Sequence, residues 1–217
     1  MRICLLIAAV AVLIFYHPNL GESSIIPSLV AEYRSDIGVT AVQDNAESKP
    51  PESASKGKSE KLDILFQLLL VARDESVAAK LEAQIWGQWL VSGDEKSDKL
   101  MDQAVLAMNT GSFERSLEIL NELVNHAPNH PEAWNKRATV FYLLHRYDKS
   151  LVDIARVLSL EPRHFGAISG IALISLARGN KKAALDAYRR AILIYPLMRG
   201  AAAIIRELEQ EVEGVRL

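Results

Sequence analysis

The chain has a single cysteine, Cys4, and it lies inside an N-terminal apolar segment. Disulfides, cysteine nucleophiles and thiolate metal sites are therefore excluded from the body of the protein. Lack of cysteine permits an oxidising compartment without requiring one. Neither sign of charge dominates: the net charge is −2 and the pI near 6.2, so there is no basic footprint for nucleic acid. His-Glu-x-x-His, Gly-x-Ser-x-Gly and Gly-x-x-x-x-Gly-Lys do not occur, and these patterns carry metalloprotease, serine-hydrolase and phosphate-loop chemistry. Four histidines, His126, His130, His145 and His164, fall at expected turns. Pro128 separates His126 from His130, so those two cannot share a helix face as a metal pair. The reading is a protein with no catalytic residues, no metal site and no cofactor; a cryptic enzyme or metal-binding protein would have to use residues far apart in the chain.

Only one hydrophobic run stands apart, Ile3 to Tyr16, followed by Pro18 and Gly21. Fourteen residues are short for a bilayer span and suit the core of a secretion signal. Residues 1–23 are read as a signal peptide, with Gly21-Glu22-Ser23 the best small-x-small site, or as an uncleaved inner-membrane anchor. Export places the protein in the periplasm or outside the cell. Residues 24–60 come next as a disordered linker, since Asn45 to Lys58 is rich in Ser, Pro, Glu and Lys and buries too little apolar surface to offset its ordering entropy.

Order resumes at Lys61. Leu62, Leu65, Phe66, Leu69 and Leu70 give one helix an apolar face, and Val77, Leu81, Ile85 and Trp89 mark a second, with Asp74 as N-cap. This helix pair, residues 61–92, is expected to act as an N-terminal cap, with Trp86 and Trp89 packing it onto the helices beyond.

From residue 97 the chain repeats itself. Pro128, Pro162 and Pro196 recur at a constant interval, with Ala104, Ala138 and Ala172 forming one column at the same spacing and Leu117, Leu151 and Leu185 another. Between them lie a small-residue column, Ser116, Ser150 and Ala184, and a turn column, Gly111, His145 and Gly179. Small residues let two antiparallel helices approach, leucine fills the space beside them, and proline ends the second helix. Each unit is one helical hairpin.

These residues resemble the tetratricopeptide repeat, a hairpin of about 34 residues with an early aromatic, small residues at the helix crossing and a closing proline. The middle copy matches best, through Trp134, Ala138, Phe141, Tyr147, Ser150 and Pro162; Leu100 and Ile168 replace the tryptophan in the other two. The resemblance implies an all-α, right-handed superhelical array of three repeats, about 97–130, 131–164 and 165–198. A capping helix over 198–214 would close it, with Glu207, Glu209, Glu211 and Glu213 as a solvated face. Within the middle hairpin Arg137 is expected to pair with Asp153. The whole arrangement resembles small exported tetratricopeptide proteins of Gram-negative bacteria.

Such arrays hold peptide segments or partner helices in a concave groove lined by the first helix of each repeat. By the resemblance the groove residues are Met101, Val105, Met108 and Asn109, then Asn135, Thr139, Tyr142 and Leu143, then Ser169, Leu173 and Leu176. The family's carboxylate clamp is not reproduced, because Gly166 and Gly170 stand where basic groups would be needed. The function expected is a protein-protein interaction scaffold of the cell envelope. The alternative is a self-assembling structural component of the envelope, whose groove takes its own tail or a second copy.

Overall fold

The structure, a computed structural model, describes residues 52–214. The signal peptide or anchor and the linker up to residue 51 lie outside the described residues. Among the described residues every regular element is helical: α1 (Glu52–Val71), α2 (Glu75–Leu90), α3 (Glu95–Asn109), α4 (Phe113–His126), α5 (Pro131–Leu143), α6 (Tyr147–Leu160), α7 (Phe165–Ala177), α8 (Lys181–Ile194) and α9 (Ala201–Glu213). Helix α1 starts inside the stretch read as linker. Its packed half, from Leu62 on, supplies the nucleus, and adding turns to an existing helix costs far less than starting one.

Helices α3 to α8 form three antiparallel hairpins, each stacked on the next. The turn column explains itself: Gly111, His145 and Gly179 all have positive φ, at 74°, 56° and 75°. Glycine adopts this conformation freely, whereas His145 bears a strain of about 1–2 kcal/mol. The small-residue column has a second use. The Ser116 hydroxyl donates to the Ala104 carbonyl at 2.9 Å, and Ser150 donates to Ala138 at 2.8 Å. Each bond ties the second helix to the first at its closest approach, where Ala104 and Ala138 are buried. Ala184 keeps the close approach in the third repeat without a hydroxyl. Arg137 grips Asp153 through two bonds of 2.8 Å and stacks over Trp134, 4.7 Å from its ring centroid.

The remaining helices fit the repeats differently. Helix α9 packs Ile204, Ile205 and Leu208 against Leu185 and Tyr188, and so covers the end of the stack. Its acidic face is paired as well as solvated, with Arg189 2.7 Å from Glu209 and Lys181 3.2 Å from Glu211. Between α1 and α2, Asp74 caps α2, its carboxylate accepting from the backbone N–H groups of Ser76 and Val77. Leu70 and Val77, read from their spacing as part of the apolar faces, are exposed at the edges of this pair. The pair does not stack over the first repeat. Its core side chains, Leu62 through Trp89, join Phe165, Ile168, Ala191, Tyr195, Met198 and Ala201 of the third repeat and the start of α9.

Candidate interaction surface

Helix α2 packs where the first helices of the second and third repeats, α5 and α7, begin. Trp86 sets its indole against α7 so closely that a Cβ at position 166 would stand 2.6 Å from its Cη2 atom. Gly166 is thus a seat for the tryptophan. Trp89 stacks flat on His164, with centroids 3.9 Å apart and planes 10° from parallel, and Phe165 meets both tryptophans edge-on or tilted. Such aromatic pairs contribute about 0.5–1.5 kcal/mol each beyond the area they bury. Tyr195 donates its hydroxyl to Glu82 at 3.1 Å. Arg163 reaches Asp63 at 2.7 Å and covers the Phe66 ring.

Beneath the tryptophans lies a buried polar network. Glu132 is completely buried and accepts from Asn135 and His164, both at 3.0 Å; the Lys136 ammonium stands 2.9 Å from its other oxygen. Burial opposes ionisation of this carboxyl, but the Lys136 charge and the His164 hydrogen bond outweigh it and hold the pKa at about 2. His164 also accepts at Nδ1 from the Ala167 N–H, capping α7. One ring therefore caps a helix, steadies a carboxylate and carries the face of Trp89. His130 contacts the carbonyl of Trp89 through Nε2 at 2.7 Å, while its Nδ1 is buried without a partner. Burial lowers its pKa.

The expected groove residues divide along the helix axes. Met101 and Met108 are buried in a cluster between the first and second repeats that Val105 and Leu143 flank. Asn135, Thr139, Ser169 and Leu173 are buried too. Asn135 serves the Glu132 network, and the hydroxyls of Thr139 and Ser169 donate back to the carbonyls four residues before them. Val105, Tyr142, Leu143 and Leu176 are half-buried and Asn109 is exposed. Tyr142 packs beside Tyr147 against the cluster of the second and third repeats, rather than with the two methionines.

The four histidines are committed to separate partners. His126 bonds Asp94 at 2.9 Å and His145 bonds the Tyr147 hydroxyl at 2.8 Å. His130 and His164, taken from the sequence as turn residues, are buried where α2 meets the repeats. Glu132 and Lys136, which the sequence reading passed over, and these two histidines, read only as turn residues, lie where α2 packs. A signal was present: His130 and His164 stand one repeat apart, immediately before α5 and α7.

No known family profile matches the chain. A tetratricopeptide (TPR) repeat-containing protein of Rhizobium etli is 36% identical over 164 residues, which is 76% of this chain and 80% of that protein. The small glutamine-rich tetratricopeptide repeat-containing protein 2 of Saccharomyces cerevisiae is 25% identical over 97 residues, 45% of this chain and 28% of that longer protein. Among solved structures, MamA AMB-1 aligns with a TM-score of 0.47 at 16% identity, covering 74% of this chain and 85% of that one. MamA MSR-1 aligns at 0.46 and 15%, covering 73% and 88%. With its phased hairpins and the Rhizobium relative sharing most of its length, the chain belongs to the tetratricopeptide-repeat family.

Proposed function

We propose that the protein is a protein-protein interaction scaffold of the cell envelope, which holds a peptide segment or partner helix on the trailing half of its concave surface. The observation that carries this is the division of that surface. Helix α2 packs on the starts of α5 and α7 through Trp86 and Trp89, while Val105, Asn109, Tyr142, Leu143 and Leu176, toward the C-terminal ends of the first helices, keep accessible area. They offer aliphatic contact, a tyrosine and an amide but no charge, a composition suited to an apolar peptide with spaced aliphatic anchors. Export is supported by the apolar run Ile3 to Tyr16 and its length. The test places a photo-crosslinking residue at Tyr142 or Leu176 in cells, with exposed Val152 of α6 as control. Shared adducts at the first two positions and none at the third are expected, in an envelope fraction whose intact mass gives a chain beginning between Gly21 and Tyr33. Adducts only at Val152 place recognition elsewhere on the repeats, and a cytoplasmic chain beginning at Met1 removes the envelope from the proposal.

A further inference from the structure

We propose that the docking of α1 and α2 on the repeats is an acid-sensitive latch: a proton taken up by His130 opens the helix pair as a unit, hinged at residues 91–94, and leaves the hairpins folded. Helix α2 packs on α1 and on α5, and the non-helical segment between it and α3 contains Gly93 at a φ of 85°. A pair joined to the array through one such segment can swing without unwinding a repeat. Opening uncovers Glu132, Lys136 and Phe165 at the starts of α5 and α7.

His130 holds the latch from the side of the array. It is 6% exposed, and its Nε2 lies 2.7 Å from the Trp89 carbonyl oxygen. A carbonyl only accepts, so the ring hydrogen is on Nε2 and a second proton must go to Nδ1. That atom is buried with no partner among the described residues. Burial outweighs the bond to Trp89, which favours the charged form, and keeps the docked ring neutral. Its neighbours do not reverse this. Lys58 of α1, bonded to the Val91 carbonyl, adds a positive charge, and His130 is itself the N-cap of α5, where the helix dipole is positive. Two carboxylates act on the ring the other way, and both are engaged. Asp98 of α3 accepts from the N–H and the hydroxyl of Ser92, each at 2.7 Å, and Glu132 of α5 is held by Lys136, Asn135 and His164. Once the pair opens, water reaches both ring nitrogens, and the imidazole takes its proton near pH 6.5, roughly its ordinary value. The Trp89 indole N–H, buried in the dock without an acceptor among the described residues, is rehydrated at the same moment.

The test is hydrogen exchange of the full chain, corrected for the intrinsic rate, between about pH 7.5 and about pH 5. Glu132 stays ionised across this window, its pKa being held at about 2. The opening equilibrium of α2 should rise about tenfold per pH unit below about 6.5, return on neutralisation, and leave α4 and α6 unchanged. His130→Gln keeps an N–H for the Trp89 carbonyl but takes no proton, so its α2 should open equally at both ends of the window. His126→Gln, beside the hinge on Asp94, should keep the dependence of the parent. Protection of α2 that ignores pH in the parent overturns the proposal, as does a loss shared by every helix or a full dependence surviving in His130→Gln. Should His130→Gln fail to dock at neutral pH, nitrogen NMR of the parent decides. The His130 ring is then expected to carry its hydrogen on Nε2 while α2 is protected and to gain the second only as protection falls; a ring that titrates while α2 stays protected overturns the latch.

Discussion

The helices on either side of the repeats make a comparison, because both bury an apolar face and only one follows the axis of the stack. Helix α9 continues the array: it meets α8 as α8 would meet a further repeat, through Ile204, Ile205 and Leu208. Helices α1 and α2 cross the array and join elements far from them in sequence, through Trp86, Trp89, Phe165 and Tyr195. In a repeat array stability is a sum of neighbour terms, so a helix at the end can fray without consequence for the far repeats. A helix pair packed on His130 of the second repeat and on the core of the third couples repeats that would otherwise be independent.

The largest break in that comparison is Trp89→Ala. Removing a large buried aromatic costs about 3–5 kcal/mol, and here it uncovers His164 and Phe165 as well. Hydrogen exchange should lose protection in α1, α2 and the first turn of α7 together. Leu208→Ala, a smaller loss of about 2–5 kcal/mol, should raise exchange in α9 and the adjoining face of α8 while leaving α1 and α2 protected. Equal responses in α1 and α2 from both variants would mean that the pair and the end helix are one cooperative unit.

Within the hairpins, Ala138→Leu sharpens what belongs to the repeats alone. The side chain is fully buried at the crossing where Ser150 donates to the Ala138 carbonyl, so overpacking should cost about 1–3 kcal/mol. Chemical denaturation measures it. A variant as stable as the parent would mean that the crossing is looser than the Ser150 bond implies.

The repeats were legible because their physics is local and periodic. A proline closing each unit, a turn residue with positive φ and a small residue at each crossing all constrain neighbours within one hairpin. The pairing of Arg137 with Asp153 was legible for the same reason, as both belong to one unit. The seat of α2 on the repeats was not, since the fit of Trp86 against Gly166 joins distant positions that no periodicity relates. The same glycine, seen in the sequence only as a missing basic group, is the space the tryptophan fills. Nor does helical spacing separate a groove wall from the wedge between two repeats, and Met101, Met108 and Leu173 proved to be buried. Placing a charge at Met108 or Leu173 should therefore unfold the chain, whereas Tyr142→Ser tests the accessible half.

Acid should act on the crossing pair before it acts on α9. His130 has its pKa lowered by burial, so the unfolded chain binds a proton that the folded chain refuses, and stability falls as pH drops below about 6.5 toward that lowered value. Glu132 adds a second step. Its carboxyl is held at about 2 against an ordinary 4.5, so its contribution is intact above about pH 4.5 and is lost as pH falls toward 2. Denaturation followed at a series of pH values should show both steps, and His130→Gln should remove only the upper one. Survival of the upper step in that variant would assign it to another group.

The smallest expected effect comes from two glycines, one in each of the helices that Trp86 brings together. Gly87 sits in the interior of α2, and a Cβ there would meet no atom within 4 Å. Gly87→Ala should therefore gain about 0.5–1 kcal/mol, because alanine has less backbone freedom to lose in a helix. Gly166→Ala gains something of the same kind in α7, but its Cβ would come within 2.6 Å of Trp86 and 3.4 Å of His164. The indole cannot swing away cheaply, being fixed on its other sides by Trp89 and Phe165. The repulsion should exceed the propensity gain, so thermal melting should rise for Gly87→Ala and fall for Gly166→Ala. Combining Gly166→Ala with Trp86→Leu should recover part of the second loss, since the shorter side chain removes the atom that the new methyl strikes. If both single variants melt higher than the parent, Trp86 is not seated against α7 and the crossing pair is held by the Trp89–His164 stack alone.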